Sequence, residues 1–130
     1  MKSLILLVED NEATLNLLQT QLTVLGYRVT TAQNGVEAVA KATAELPDLI
    51  VMDIQMPVMD GLLAASQIRK EPKTQLIPIL AATAKTMSGD KERCLAAGCN
   101  DYLAKPFTHR QLHSAIQKLL TKPSNNGSGE

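Results

Sequence analysis

The chain has 130 residues, enough for one domain with a single hydrophobic core. Its 45% hydrophobic and 20% charged residues are typical of a soluble globular protein. Thirteen basic and thirteen acidic residues cancel, and only three residues are aromatic, which argues against a nucleic-acid partner held by clustered cations or stacked bases.

The sequence also indicates a compartment. No apolar run approaches the roughly 20 residues of a membrane-spanning helix, so no membrane partner is expected. The first residues lack the pattern of a signal or transit peptide. The two cysteines, Cys94 and Cys99, form neither a disulfide framework nor a zinc spacing. We therefore expect a protein of the reducing cytoplasm.

Short apolar runs alternate with segments of helical period along nearly the whole chain, which predicts βα units around a parallel sheet. The first run has no polar interruption, as is typical of a strand covered on both faces. Five strands are predicted, at residues 4–8, 28–32, 49–52, 77–82 and 102–104. The third of them ends at Asp53.

The first two helices follow strands one and two. Asn11 is a candidate N-cap of the first helix, and Gly26 is its expected C-terminal stop. The turn at residues 34–35 opens the second helix, which Pro47 ends. We expect the buried side of this second helix to consist of Val36, Val39, Ala40 and Thr43.

Three further helices are predicted. One follows the loop at 56–61 and ends near residue 69, and another spans about 89–97 before Gly98. The last opens with Thr108 and Gln111 in capping-box spacing and carries an apolar stripe, at Leu112, Ile116, Leu119 and Leu120. Residues 123–130 have nothing to bury, so they are expected to form a flexible tail or linker after a domain at 1–122.

Five βα units in a chain of this length predict an α/β doubly wound, flavodoxin-like (βα)5 sandwich. A barrel is excluded because it would need eight units. The five-stranded parallel sheet of the flavodoxin-like fold has the order 2-1-3-4-5. Right-handed crossovers place the carboxyl ends of all strands at one edge of the sheet. In this fold ligands bind at that edge, near the switch point between strands one and three.

Polar residues end the strands that meet at this edge. Strand one is followed by Glu9 and Asp10, strand three ends at Asp53, strand four is followed by Thr83, and strand five by Lys105. Three converging carboxylates repel one another, and a hard divalent cation such as Mg²⁺ removes that repulsion. Together with the lysine and the hydroxyl, such a site makes a cage for phosphoryl oxygens.

These residues make the chain similar to the response-regulator receiver domain, the phosphoacceptor module of two-component signalling. The intervals of 30 residues from Asp53 to Thr83 and of 52 residues from Asp53 to Lys105 are those of that family. The resemblance extends from residue 4 to about residue 121. Its motifs are Leu7-Val8-Glu9-Asp10, Asp53, Met56-Pro57, Asp60-Gly61, Ala82-Thr83-Ala84 and Lys105-Pro106-Phe107.

The resemblance implies a role for each acidic residue. Asp53 would be the phosphorylated aspartate and Asp10 a direct ligand of Mg²⁺ or Mn²⁺. Glu9, at a position where the family more often has Asp, would hold a metal-bound water. The backbone carbonyl of Gln55 would be the third protein ligand of the metal. The resemblance also suggests a cis bond before Pro106, which the sequence alone leaves open.

The resemblance further implies a switch. Lys105 would bind the phosphoryl group, Thr83 would be the switch hydroxyl, and Tyr102 the switch aromatic, although a simple core role also fits Tyr102. Gln55 and Lys85 would flank the path of the water that hydrolyses the phosphoryl group. We expect slow self-dephosphorylation on this basis, with a solvated loop position as the plainer interpretation of Lys85.

The resemblance implies that the protein is a phosphorylation-controlled switch rather than an enzyme. The expected phosphodonor is a histidine kinase or a histidine phosphotransfer domain. The expected output is a change in the face made by helix four, strand five and helix five, which a downstream protein or domain would read. The chain is expected to be either a stand-alone regulator or one receiver of a larger hybrid kinase.

Two other functions are considered. A haloacid-dehalogenase-type phosphatase also uses an aspartate nucleophile with Mg²⁺, but it carries a second Asp two residues later, where this chain has Gln55. A flavodoxin-like nucleotide binder would need a glycine-rich loop after strand one, and none is present. His109 and His113 have a metal-pair spacing without a third ligand in the sequence nearby, so an exposed helix face is expected for them.

Overall fold

A computed structural model describes residues 2–54, 61–83 and 90–121, with only the backbone of residues 83, 90 and 91. Ten elements alternate along the chain. The strands are β1 (Leu4–Val8), β2 (Arg28–Ala32), β3 (Leu49–Asp53), β4 (Ile79–Thr83) and β5 (Asp101–Ala104). The helices are α1 (Glu12–Val24), α2 (Gly35–Glu45), α3 (Gly61–Lys70), α4 (Asp90–Ala96) and α5 (His109–Thr121).

The five strands form one parallel sheet of order β2-β1-β3-β4-β5, which confirms the predicted fold class and strand order. β4 begins two residues later than predicted. The reason is local: the N–H of Ile77 bonds the carbonyl of Thr74 in a turn, and Pro78 has no N–H to give to a ladder. The carbonyl of Pro78 still accepts a bond from the N–H of Ile50 on the neighbouring strand.

Both faces of the sheet are covered, as the apolar first strand predicts. Side chains alternate along β1, so that Ile5 and Leu7 face one helical layer while Leu6 and Val8 face the other. The first layer contains α1 and α5, and the second contains α2, α3 and the buried side of α4. These two cores hold β1 and β3 rigidly in the middle of the sheet.

The buried side predicted for α2 is wrong in part. Val36 is 53% exposed and Ala40 is exposed, whereas Val39 and Thr43 are half-buried. The residues that face the core are small ones, Gly35, Ala38 and Ala42. Because α2 packs closely against both α3 and the sheet, the contact side needs little volume rather than strong hydrophobicity.

The predicted helix ends agree well with the structure. The side chain of Asn11 accepts a bond from the N–H of Thr14 at 2.9 Å, which caps α1, and Gly26 takes φ +103° after its end. At the start of α5, Gln111 Oε1 accepts from the N–H of Thr108 at 2.9 Å, and Thr108 Oγ1 accepts from the N–H of Gln111 at 3.0 Å. This reciprocal pair is the predicted capping box.

Four further predictions concern residues outside the sheet. Cys94 and Cys99 are buried thiols outside any disulfide, as expected. His109 is exposed, but His113 is half-buried with its ring edge-on to Tyr27 at a centroid distance of 5.9 Å, so the expected exposed face is wrong for His113. In the part of the chain that the structure describes, no helix is long and apolar enough to cross a membrane. The predicted tail at 123–130 lies outside the described residues.

Candidate functional site

The structure brings three carboxylates together at the carboxyl edge of the sheet. Glu9 and Asp10 directly follow β1, Asp53 is the last residue of β3, and these two strands pair in parallel. One carboxylate oxygen from each residue lies within 4.8 Å of the others. Glu9 and Asp53 are only 3% and 6% exposed, while Asp10 is open to solvent. The site therefore combines two buried carboxylates with an exposed one, and we call it the acidic cleft.

Glu9 is fixed from several directions. Its N–H donates to the carbonyl of Ala32 on β2 at 3.0 Å, which extends the sheet by one residue. Its Oε2 accepts a bond from the N–H of Asn11 at 3.1 Å, and its Oε1 accepts one from Lys105 Nζ at 3.1 Å. A buried carboxylate is costly unless such partners satisfy it, so the surroundings orient Glu9 before any ligand arrives.

Lys105 brings a cation to this cleft from the other side. It directly follows the edge strand β5, and its Nζ lies 3.1 Å from Glu9 Oε1 and 3.7 Å from Asp53 Oδ1. The peptide bond between Lys105 and Pro106 is cis, as the resemblance suggests. The lysine side chain remains 25% exposed, so the ammonium is accessible to a ligand while it pairs with the carboxylates.

The donors of the cleft fit a hard divalent cation. Three carboxylates against one ammonium leave a formal charge of −2, which is the charge that a single divalent ion cancels. All the ligand atoms offered are oxygens, and Mg²⁺ prefers a few carboxylate oxygens while it keeps several waters. The residues that could hold such an ion are Glu9, Asp10 and Asp53.

Gly61 is a part of the site whose role the sequence analysis missed. It begins α3, and its N–H donates to the carbonyl of Ile54 at 2.9 Å. A Cβ at this position would lie 2.6 Å from the carbonyl oxygen of Asp53 and 2.8 Å from the Cα of Ile54. Only glycine lets α3 start this close to the end of β3. The pair Asp60-Gly61 was visible as a motif, but its steric reason appears only in three dimensions.

The other predicted site residues are described to different extents. The backbone of Thr83 pairs in register with Ala104, so residue 83 lies at the same edge of the sheet, and its side chain is not described. Tyr102 is half-buried in β5 and packs against the core under α2 and α3. Gln55 and Lys85 lie outside the described residues.

The surface between β5 and α5 is the part of the predicted output face that the structure describes best. A groove of about 460 Å³ lies there, and Tyr102, Arg110 and Ser114 are among the residues that line it. At the same surface, Lys118 Nζ lies 3.9 Å from Asp101 Oδ2. Because Lys105 directly follows β5, the strand that lines this groove also leads into the acidic cleft.

Comparison with known proteins places the chain among signalling modules. A family model described as "Response regulator receiver domain" matches residues 5–117. Hybrid signal transduction histidine kinase G of Dictyostelium discoideum is 49% identical over 88% of the chain, which is 3% of that protein. The PhoP regulatory protein of alkaline phosphatase synthesis in Bacillus subtilis is 40% identical over 94% of the chain, which is 50% of that protein.

One of the solved structures that match the chain is also a receiver domain. The receiver domain of sensor histidine kinase PA1611 from Pseudomonas aeruginosa superimposes with a TM-score of 0.86 at 42% identity, and the match covers 92% of this chain and 98% of that one. That structure has a magnesium ion coordinated in its active-site cleft. The chain spans half or less of the length of the two curated relatives above. It belongs to the response-regulator receiver domains of two-component signalling.

Proposed function

We propose that the chain is a phosphoacceptor switch in which Asp53 receives a phosphoryl group from a phosphohistidine. The donor is a histidine kinase or a histidine phosphotransfer domain. The observation that carries the proposal is the position of Asp53, a buried carboxylate within 4.8 Å of two other carboxylates and 3.7 Å from Lys105 Nζ. An aspartate that only capped the loop after β3 would need neither Glu9 and Asp10 nor Lys105 beside it.

The transfer needs no proton to be removed by the protein. An ionised Asp53 oxygen forms the bond to phosphorus while the bond from phosphorus to the histidine nitrogen breaks. That nitrogen keeps the electron pair and later takes a proton from solvent. The protein contributes position and charge, since the transition state carries its negative charge on the phosphoryl oxygens.

The residues around Asp53 divide these tasks. Lys105, whose Nζ lies 3.1 Å from Glu9 Oε1, would bind an oxygen of the arriving phosphoryl group. Glu9, Asp10, Asp53 and the carbonyl of Gln55 would hold Mg²⁺ or Mn²⁺, which when bound neutralises phosphoryl and carboxylate oxygens. The three clustered carboxylates and the magnesium-bound relative from Pseudomonas support a metal at Glu9, Asp10 and Asp53.

The switch follows from the new charge. An aspartyl phosphate brings about −2 charges and new acceptor oxygens to a cleft that is already acidic. In our proposal the Thr83 hydroxyl and Lys105 move to these oxygens, and the Tyr102 ring turns inward. The face of α4, β5 and α5 then changes shape, and a downstream partner reads it. Support comes from the sheet register, which puts residues 83 and 104 side by side at this edge.

Three finer assignments belong to the same proposal. Residues 1–122 form the switch, and 123–130 form its tail. Gln55 and Lys85 flank the approach of water and make self-dephosphorylation slow. The chain assists its own phosphorylation and dephosphorylation but turns over no other substrate, and the receiver family match favours this over a haloacid-dehalogenase-type phosphatase.

Mass spectrometry tests the proposal directly. Incubation with a small phosphodonor and Mg²⁺ should add about 80 Da, the mass of one phosphoryl group. Asp53→Asn should abolish this species, and an excess of EDTA should suppress it. Asp48→Asn is the matched control, because Asp48 lies at the opposite end of β3 with its carboxylate on the N–H of Leu4. Phosphorylation of the Asp53→Asn protein would overturn the proposal.

A further inference from the structure

A reciprocal hydrogen-bonded pair starts strand β5. The N–H of Asn100 donates to the carbonyl of Ile79 at 2.8 Å, and the side-chain Oδ1 of Asn100 accepts from the N–H of Ile79, also at 2.8 Å. One residue therefore satisfies both main-chain groups of the fully buried first residue of β4. The amide side chain takes the place of a strand carbonyl, and β5 proper begins at the next residue.

The amide of Asn100 is itself held by Arg69 at the end of α3. Arg69 Nη2 donates to Asn100 Oδ1, Nε donates to the carbonyl of Gly98 at 2.8 Å, and Nη1 donates to the carbonyl of Ile77 at 2.6 Å. A planar guanidinium fixed at three corners has one orientation. Consequently the point at which β5 joins the sheet is tied to the chain segments before β4 and after α4.

This tie matters because β5 is a short strand that pairs on one side only. It has four residues, all half-buried, and lies at the edge of the sheet with β4 as its neighbour. The carboxylates of the cleft are different, since β1 and β3 each have neighbours on both sides. Lys105 directly follows β5, so any slip or tilt of this strand moves Nζ relative to Glu9 and Asp53.

We propose that Asn100, oriented by Arg69, is a positioning residue for Lys105. By fixing the register of β5 from the amino edge of the sheet, it sets where the ammonium stands at the carboxyl edge. The effect on phosphotransfer rests on the proposed function, but the effect on the position of Lys105 does not. The two therefore need separate measurements.

The kinetic experiment compares two substitutions at one position. Asn100→Asp keeps an acceptor oxygen, and both of its partners are donors, so this variant should be phosphorylated by a small phosphodonor at nearly the parent rate. Asn100→Ala removes the acceptor and should be slower by roughly tenfold, because a displacement of about 1 Å can cost up to about 100-fold. Lys70→Gln is the control, since it changes an exposed side chain next to Arg69 at the end of α3.

A double-mutant cycle identifies the route of the effect. In a Lys105→Met background, Asn100→Ala should cause little further loss, because the group that it positions is absent. An equal loss in both backgrounds would show that Asn100 acts on the whole fold rather than through Lys105, and would overturn the inference. If Asn100→Ala does not fold, Arg69→Met replaces it in the same cycle.

The second measurement uses no phosphodonor. The Nζ and Cε resonances of Lys105 in the unphosphorylated protein should shift in Asn100→Ala and keep their parent values in Asn100→Asp and Lys70→Gln. An unshifted Lys105 in a folded Asn100→Ala protein would overturn the inference. If the parent protein accepts no phosphoryl group, the proposed function fails, and these resonances still decide the role of Asn100.

Discussion

The two edges of the sheet use polar side chains in opposite ways. At the amino edge, side chains satisfy the main chain: Asp48 exchanges two hydrogen bonds with Leu4, and Asn100 exchanges two with Ile79. At the carboxyl edge, charged side chains face one another, and their formal charges do not cancel. The first arrangement is complete without a ligand, whereas the second is not.

This difference shows that the amino edge fixes the backbone, whereas the carboxyl edge keeps charged groups available for a ligand. Each amino-edge pair joins two parallel strands at their starts and so sets their register. The register then determines which side chains meet at the far ends of the same strands. A cluster of like charges at that end persists because the backbone beneath it is fixed elsewhere.

The largest effect that we expect comes from substituting Gly61, because the backbone of β3 leaves no space for a side chain there. Gly61→Ala would place a methyl group 2.6 Å from the Asp53 carbonyl oxygen, so β3 or α3 must move. Phosphorylation from a small phosphodonor should fall by about 100-fold, the cost of a misplacement of about 1 Å. Gly26→Ala is the control for general destabilisation: at φ +103° an alanine is strained, but its Cβ meets nothing within 4 Å, so the cost should fall on stability and not on phosphorylation. Equal rates for the parent and Gly61→Ala would show that the close contact is irrelevant to the site.

The next effect is stabilisation by Mg²⁺, which should depend on the carboxylates of the carboxyl edge and not on those of the amino edge. Mg²⁺ at about 100 times its Kd should raise the free energy of unfolding by about 2.7 kcal/mol if it binds only the folded state. Thermal melts with increasing Mg²⁺ should show this gain in the parent and in Asp48→Asn, and lose most of it in Asp10→Asn. A gain that survives in Asp10→Asn but not in Asp48→Asn would reverse the comparison.

A third effect concerns Cys99, a buried neighbour of the amino-edge pair. Burial, and secondly the nearby Cys94, raise the pKa of its thiol to about 12. Because the unfolded chain releases this proton near pH 9, the free energy of unfolding should fall as the pH rises from about 9 to about 12. The slope for one proton is about 1.4 kcal/mol per pH unit. Urea melts should show a smaller slope in Cys99→Ala, and an unchanged slope would mean that the thiol is not responsible.

The smallest effect is expected at Asp48. Asp48→Ala removes the acceptor for the N–H of Leu4, which is a bond of 2.7 Å at an exposed site. The loss should be about 0.5–1.5 kcal/mol in chemical denaturation, the usual worth of one hydrogen bond. Phosphorylation should stay near the parent rate, because β1 and β3 are held by neighbours on both sides. A strong loss of phosphorylation here would show that central strands depend on their starting pairs as much as β5 does.

Much of this arrangement follows from local patterns in the sequence. Apolar runs and caps such as Asn11 gave the element order, and the right-handed crossover rule brought Asp53 and Glu9 to one edge. The buried side of α2 could not be found this way, because it depends on how closely α3 approaches. The same holds for Arg69 and Asn100, which lie 31 residues apart and meet only when α3 and β5 are both in place.

The contact between Arg69 and Gly98 has a consequence for how the sequence can vary. Gly98 adopts φ +112°, and a Cβ on it would stand 2.6 Å from Cγ of Arg69. Replacing it would therefore strain the turn and displace the guanidinium that orients Asn100. Gly98 lies seven residues before Lys105 and outside the acidic cleft. A substitution at Gly98 should therefore impair signalling even though every residue of the cleft is unchanged.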